Sequence, residues 1–316
     1  MLQLVVLLLV FTPMLVSKDL RTKRMQDAAE VPNTAAPYMA SLHVTFKSGE
    51  KFVCGGSIIT VRAILTAAHC LKKDLKPTQL RAVVGTEQLD SGGQSYGIDK
   101  IVSHEKYLEG DSNANDIAIM FTDKDIQFSD RVQPVELNDE PPKVGEELRV
   151  SGWGEIYEDG PLSNDLLELR VKVVRCPKGV AEYSDTMICA KPGPGQGICS
   201  GDSGGPLVDL KGERQVGIVS AGPTPCATGF PDQYTSVHAL LPWIKKTLLD
   251  NDHDSNDYDG NESLDNDKQD QQNTTDAYDD DDSRDDDNDE QDPQDRTDEY
   301  DNDNDSVDNE SCEKKT

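Results

Sequence analysis

Cys199-Ser200-Gly201-Asp202-Ser203-Gly204-Gly205-Pro206 places a serine among glycines that allow a sharp backbone turn. Such a turn exposes the hydroxyl and directs neighbouring backbone N–H groups into one space. Two further segments complete the pattern: Leu65-Thr66-Ala67-Ala68-His69-Cys70 and Asn115-Asp116-Ile117-Ala118-Ile119. Taken singly, such a histidine is often a packed core residue and such an aspartate a strand-end cap. Together they are typical of nucleophilic catalysis, because a serine hydroxyl is a poor nucleophile without an adjacent base.

Short strands dominate the chain between about residue 25 and residue 249. Apolar residues alternate with others at 42–46 and at 167–173, and a Gly/Pro-rich turn occupies 192–195. This pattern predicts an all-β barrel or sandwich, and about 225 residues suffice for two small barrels. Apolar residues at helical spacing over 241–248 predict one terminal helix.

These segments resemble the chymotrypsin-like serine proteases, whose motifs follow in the order His, Asp, Ser. The resemblance covers residues from about 25 to 249 and includes Cys54-Gly55-Gly56-Ser57, Ser151-Gly152-Trp153-Gly154, Val219-Ser220-Ala221-Gly222 and Trp243-Ile244. It implies an all-β fold of two six-stranded antiparallel barrels with a C-terminal helix and an active site between the barrels. It also implies a serine endopeptidase that needs neither a cofactor nor a metal.

The resemblance assigns a role to each residue of the expected site. His69 would take the proton of Ser203 and later give it to the leaving amine, and Asp116 would hold the histidine tautomer. The backbone N–H groups of Gly201 and Ser203 would form the oxyanion hole. Ser220 would lie behind Asp116 and support it.

The same resemblance implies a specificity pocket with Gly197 at its base, Ile198 beside it, Gly222 on one wall and Asp232 on another. Trypsin-like members keep an aspartate at the base, so a simple trypsin preference is not expected. A carboxylate from Asp232 favours mixed cleavage after basic and apolar residues, because a buried unpaired carboxylate is costly. Two alternatives remain: apolar cleavage of the chymotrypsin or elastase kind, or an Asp232 that hydrogen-bonds locally and turns out of the pocket.

Six of the seven cysteines precede residue 250, an even number that suggests disulfides in an exported chain. Spacing alone leaves 15 connectivities open. The resemblance implies the pairs Cys54–Cys70, Cys176–Cys189 and Cys199–Cys226. Cys312 is left over and could be free, modified or intermolecular.

The N-terminus indicates export. Residues 1–17 are almost all apolar but too short to span a bilayer, which predicts a signal peptide, with a buried N-terminal helix as the alternative. No other segment has the apolar length for a membrane span, so the mature protein is expected to be secreted and extracellular.

Activation by cleavage is expected from the resemblance. Residues 18–24 form a short propeptide that ends at a basic site, and cleavage after Arg24 would free Met25 to pair with Asp202. The following Gln26 departs from the family pattern, which has an apolar residue and two glycines after the new terminus. An activating protease is therefore an expected partner.

The net charge of −29 is concentrated at the C-terminus. From residue 250 onward 29 acidic and 5 basic residues give −24, which leaves −5 for residues 1–249. This balance argues against nucleic-acid binding through neutralised phosphates. The Asp-rich tail, 250–316, has too few apolar residues for a core and is predicted to be disordered.

The tail has two interpretations. It is a solvated appendage that promotes solubility, or it engages basic proteins and loosely bound Ca²⁺ through its many carboxylates. It contains no spaced Ca²⁺ loop. Four sequons predict glycosylation, at Asn261, Asn273, Asn304 and Asn309.

The sequence thus predicts a protease domain over 25–249 that hydrolyses peptide bonds in protein or peptide substrates and is made as a zymogen. The alternative is a poorly activated protease homologue that acts as a binding or regulatory protein, suggested by the unusual Met25 terminus.

Overall fold

The computed structural model describes residues 29–30, 35–72, 74–107, 113–177 and 185–252. In these ranges the chain forms fourteen β-strands and one α-helix. The strands are β1 (Ala29–Glu30), β2 (Met39–Phe46), β3 (Gly49–Ile58), β4 (Ala63–Thr66), β5 (Leu80–Val84), β6 (Gln94–Ser103), β7 (Ala118–Thr122), β8 (Glu136–Leu137), β9 (Glu147–Gly152), β10 (Leu167–Val174), β11 (Met187–Pro192), β12 (Pro206–Asp209), β13 (Arg214–Ala221) and β14 (Asp232–Ser236). The helix is α1 (Val237–Asp252). None of the helical segments in these ranges combines the length and apolarity needed to span a bilayer.

The strands close into two antiparallel barrels. The first has the order β2-β3-β4-β7-β6-β5, with β5 pairing back to β2. The second has the order β9-β10-β11-β14-β13-β12, with β12 pairing back to β9. Strand β1 adds to β10, and β8 pairs in parallel with β13. The predicted two six-stranded barrels and terminal helix are confirmed.

Hydrophobic alternation explains how the strands face their cores. In β10, Leu169, Val171 and Val173 are buried while Arg170 and Lys172 are exposed. The alternation at 42–46 predicts that residues 42, 44 and 46 all face the core. Residues 42 and 44 are buried, but the side chain of residue 46 is 44% exposed. Its strand ends there in a hairpin, where residue 46 pairs with Gly49 outside the barrel core.

Helix α1 packs on strand β13 of the second barrel and contributes its apolar face to the core of the first barrel. Val237, Leu240 and Ile244 are buried in the core cluster of that barrel, at the spacing of one helical face. Of the positions predicted to form the apolar stripe, only Ile244 is buried, whereas Leu241 and Leu248 are half-buried. The stripe is therefore centred further toward the N-terminus than the sequence suggested.

A buried ion pair joins β9 and β10 beside the short strand β1. Arg149 Nη1 lies 2.9 Å from Glu168 Oε2, and Arg149 Nη2 donates to the Ala35 carbonyl at 2.9 Å. Arg149 is 9% exposed, and burial raises the pKa of the nearby Tyr38 to about 12. A Cβ at Gly212 would lie 1.8 Å from Arg149 Nη2, so a larger residue there would displace the guanidinium.

Replacing Glu168 by glutamine should destabilise the fold by about 1.5–3 kcal/mol, because it leaves a buried guanidinium without its counter-charge. The measurement is the free energy of unfolding in urea. The matched control is Asp139→Asn, which weakens the exposed pair with Arg214 Nη1 at 3.2 Å and should cost about 0–0.5 kcal/mol. Equal losses in both variants would contradict this account.

Candidate active site

The end of the first barrel brings His69 and Asp116 together. Strands β4 and β7 are antiparallel neighbours, with Thr66 opposite Ala118. His69 lies in a short 3-10 turn, Ala68–Cys70, just after β4, and Asp116 lies just before β7. Because the end of one strand meets the beginning of the other, both side chains occur at the same edge of the barrel.

The Asp116 carboxylate accepts three hydrogen bonds although the residue is only 1% exposed. His69 donates to it twice, from Nδ1 to Oδ2 at 2.7 Å and from the backbone N–H to Oδ1 at 2.9 Å. The Ser220 hydroxyl donates to Oδ2 at 2.6 Å. With Nδ1 engaged as the donor, the neutral ring presents Nε2 as an acceptor on its opposite side.

Ser203 stands next to this pair through a close backbone approach. A Cβ at Gly204 would lie 2.2 Å from Thr66 Oγ1 and 3.2 Å from Cys70 Sγ, and its φ of +78° also favours glycine. Gly204 therefore packs the serine loop against the histidine turn. The described residues include no hydrogen bond between Ser203 Oγ and His69 Nε2, a contact that often tightens only when substrate binds.

Two backbone N–H groups of the serine loop are open to a ligand. Within the described part of the chain, neither the Gly201 nor the Ser203 N–H donates a hydrogen bond. Gly201 has a φ of +95°, and a Cβ there would lie 2.9 Å from the Gly154 Cα. The backbone conformation that presents these donors therefore requires glycine at position 201.

Asp202 turns away from the serine hydroxyl into the second barrel. It is 1% exposed, and its carboxylate accepts from the Gly154 N–H at 3.1 Å and from the Cys199 N–H at 2.9 Å. A Cβ at Gly152 would lie 2.3 Å from Asp202 Oδ1. This part of the motif Ser151-Gly152-Trp153-Gly154 thus makes room for the aspartate.

A pocket of about 260 Å³ adjoins Ser203. Of the four predicted pocket residues, Ile198 and Gly222 line it, whereas Gly197 and Asp232 are not among its lining residues. Asp232 is fully buried, and its Oδ2 accepts from the Ile198 N–H at 3.2 Å. The local hydrogen bond foreseen as an alternative for Asp232 is therefore present.

Sequence reasoning missed Glu158, which also lines the pocket. Its Oε2 accepts from the Cys226 N–H at 2.8 Å. The sequence predicted only a turn at Asp159-Gly160-Pro161. No local pattern indicates that Glu158, next to this turn, contacts Cys226, which lies 68 residues further along the chain.

The three expected disulfides are present: Cys54–Cys70, Cys176–Cys189 and Cys199–Cys226. Two groups of residues in the described structure are spaced closely enough to hold a metal ion: Cys54, His69 and Cys70, and Glu158, Cys199 and Cys226. In each group both cysteines are joined in one of these disulfides. Sulfur bound in a disulfide does not supply the thiolate that a metal site uses.

A larger cavity of about 610 Å³ is lined by His69 and by His104. His104 is 7% exposed and its ring centroid is 5.1 Å from that of Trp243 on α1. Its Nδ1 accepts from the Lys106 N–H at 3.1 Å. Burial lowers the pKa of the His104 imidazole, an effect that Lys106 adds to and Glu105 opposes.

Several predicted features lie outside the described residues. These are the signal peptide and propeptide, the Arg24–Met25 cleavage site, the four sequons, Cys312 and all of the tail beyond residue 252. Capture of basic proteins or Ca²⁺ by the tail therefore stays a prediction, as does the pairing of Met25 with Asp202.

Comparisons with known proteins agree with this geometry. A family model described as trypsin matches residues 26–244. Chymotrypsin-2 of Vespa crabro is 36% identical over 224 residues, covering 70% of this chain and 98% of that protein. Trypsin epsilon of Drosophila erecta is 36% identical over 233 residues, covering 71% and 87%. The solved structure of neuropsin, a serine protease of mouse brain, is 30% identical with a TM-score of 0.62, covering 70% and 99%.

Acidification should destabilise the fold in part through His104. Because its pKa is lowered in the folded state, the unfolded chain binds more protons below the ordinary value of 6.5, and stability falls as the pH drops through that range. His104→Asn keeps an acceptor for the Lys106 N–H but cannot titrate. Its melting temperature should fall less than that of the wild type between about pH 7.5 and about pH 5.5. An identical fall would contradict the assignment.

Proposed function

Because the chain belongs to the trypsin family of serine endopeptidases, we propose that it is a secreted zymogen that hydrolyses peptide bonds through a Ser-His-Asp acyl-enzyme mechanism. The observation that carries the mechanism is the 2.7 Å contact between His69 Nδ1 and the buried Asp116 carboxylate. That contact leaves Nε2 as the only ring atom able to take a proton from a neighbouring hydroxyl.

In the acylation step, Ser203 Oγ attacks the substrate carbonyl carbon while His69 Nε2 takes the hydroxyl proton. Asp116 stabilises the imidazolium that forms, and the Ser220 hydroxyl stabilises the Asp116 carboxylate by donating a hydrogen bond to it. His69 then gives the proton to the leaving amine, which departs as the carbonyl of the acyl-enzyme re-forms. In deacylation, water attacks the carbonyl carbon of the acyl-enzyme while His69 takes its proton. His69 then gives this proton to the Ser203 oxygen, which leaves and releases the carboxylic acid product.

The tetrahedral oxyanion is stabilised by the N–H groups of Gly201 and Ser203. Both are without an internal partner in the described structure, so they can donate to the oxyanion at no cost in protein hydrogen bonds. The loss of one such donor costs on the order of 3 kcal/mol in transition-state stabilisation in comparable sites.

The preferred substrates have a basic or apolar residue before the cut. Ile198 gives the pocket an apolar wall. Two carboxyls could attract a basic side chain: that of Glu158, which lines the pocket, and that of Asp232, whose Oδ1 lies 3.4 Å from the position of a Cβ on Gly222. Purely apolar cleavage is the second candidate, favoured by the hydrogen bond that ties Asp232 to Ile198.

Export and activation follow from separate observations. Three disulfides indicate an oxidising compartment, which agrees with the apolar N-terminal 17 residues. Activation proceeds by cleavage after Arg24 by another protease, which frees the Met25 amine to pair with the buried Asp202. A homologue without activity is less well supported, because His69, Asp116 and Ser203 are all present.

Activated protein should be labelled at Ser203 by a covalent serine-directed inhibitor, and Ser203→Ala should abolish labelling. Asp116→Asn should lower kcat by about 10⁴, a magnitude borrowed from well-characterised members of this family, because the histidine loses its orienting charge. The measurement is hydrolysis of a short peptide amide. A fully processed protein that neither takes the label nor cleaves peptides would instead be a binding homologue.

Terminal sequencing of the active secreted form should find Met25 as the first residue. The double variant Lys23→Gln with Arg24→Gln should block cleavage by trypsin-like proteases at this dibasic site and leave the precursor inactive, whereas Lys23→Gln alone should still be cut after Arg24. Full activity with a different terminus would refute the assignment of Met25.

A further inference from the structure

The pocket next to Ser203 is lined by a carboxylate that has no role in the mechanism described above. Glu158 is the only residue with a charged side chain among the described residues lining this pocket. The residue is half-buried, and one of its oxygens, Oε2, is fixed by the Cys226 N–H at 2.8 Å. A cation that enters the pocket therefore meets this carboxylate without first displacing another cation.

The loop that carries Glu158 is built to hold it there. Glu155 pairs with Leu162 across a β-bridge, and the Ile156 N–H donates to the Pro161 carbonyl at 3.0 Å. The Asp159 N–H donates to Glu155 Oε2 at 3.1 Å, and Asp159 has a φ of +55°. These contacts close residues 155–162 into a hairpin with Glu158 near its tip.

Asp232 is less accessible to a substrate side chain than Glu158 is. It is fully buried, absent from the pocket lining and hydrogen-bonded to the Ile198 backbone. The Ile198 side chain approaches to 3.2 Å of the position of a Cβ on Gly222, and it lines the pocket as an apolar wall. A substrate ammonium or guanidinium in the pocket can thus meet the Glu158 carboxylate, which lines it, whereas the Asp232 carboxylate does not line it.

We propose that Glu158 is a specificity-determining residue, which binds the cationic end of an Arg or Lys side chain that precedes the cut. This inference rests on the proposed endopeptidase function and names the group that recognises its basic substrates. Ile198 lets the pocket accept apolar side chains, and the Glu158 carboxylate lets it also accept basic side chains. Charge selection thus comes from a residue that lines the pocket and not from the buried Asp232.

The test uses full-length protein, activated by cleavage, and peptide amides that differ only in the residue before the cut: Arg, Lys, Leu or Phe. Glu158→Gln should lower the ratio of kcat/KM for Arg to that for Leu by about two- to fivefold, as expected for a partly exposed charge pair. Glutamine can still accept from the Cys226 N–H, so the pocket wall is kept. The wild-type ratio should fall with added salt, and that of Glu158→Gln should not.

Two further variants separate the possible sources of charge. Asp159→Asn is the matched control, because it removes a carboxylate from the same hairpin that does not line the pocket, and asparagine tolerates the positive φ of this position. It should keep the wild-type ratio. A ratio that falls in Asp232→Asn and stays unchanged in Glu158→Gln would overturn the proposal, as would a wild type that cleaves only after Leu and Phe. If no peptide is cleaved and the serine-directed inhibitor does not label, the endopeptidase function itself fails.

Discussion

The buried Asp116 carboxylate is the constraint on which the rest of the site depends. A carboxylate that is 1% exposed must receive hydrogen bonds, and its donors come from both barrels. His69 belongs to the first barrel, whereas Ser220 lies on β13 of the second. Thr235 on β14 also donates to the Asp116 carbonyl, at 2.8 Å. The same bonds that satisfy this charge therefore fix the two barrels against each other at the active site.

The serine loop follows a second constraint, which is steric. Gly201 and Gly204 both have positive φ, and side chains there would collide with Gly154 and with Thr66. The two glycines let the backbone pass close to the first barrel while the N–H groups of Gly201 and Ser203 stay open in the described structure. Asp202 between them is held inside the second barrel by the N–H groups of Gly154 and Cys199. A rigid loop with open donors suits an oxyanion, because the donors need no rearrangement during the reaction.

The two carboxylates near the pocket, Asp232 and Glu158, show that a residue's place in a family motif does not by itself give its contacts. The resemblance to the family placed Asp232 at the pocket, and its carboxyl does lie beyond the Gly222 wall. The Ile198 backbone holds one oxygen of that carboxyl, and Glu158 from a hairpin elsewhere in the chain lines the pocket instead. The ion pair between Arg149 and Glu168 also could not be found from motifs, because neither residue belongs to one of the motifs that indicated the family.

The sequence by itself determined the strands, since alternation such as Leu169, Val171 and Val173 depends only on the two-residue period of a strand, and the resemblance of its motifs implied that the strands form two barrels. The motifs around His69, Asp116 and Ser203, together with six cysteines, indicated the family, the site residues and the disulfide pairs. Only the tertiary structure decided that Phe46 lies beyond the core, that Glu158 reaches the Cys226 wall and that Asp232 is tied to Ile198. The physical reason is that strand pattern is local along the chain, whereas the partner of a loop carboxylate is set by distant backbone that folding brings alongside it.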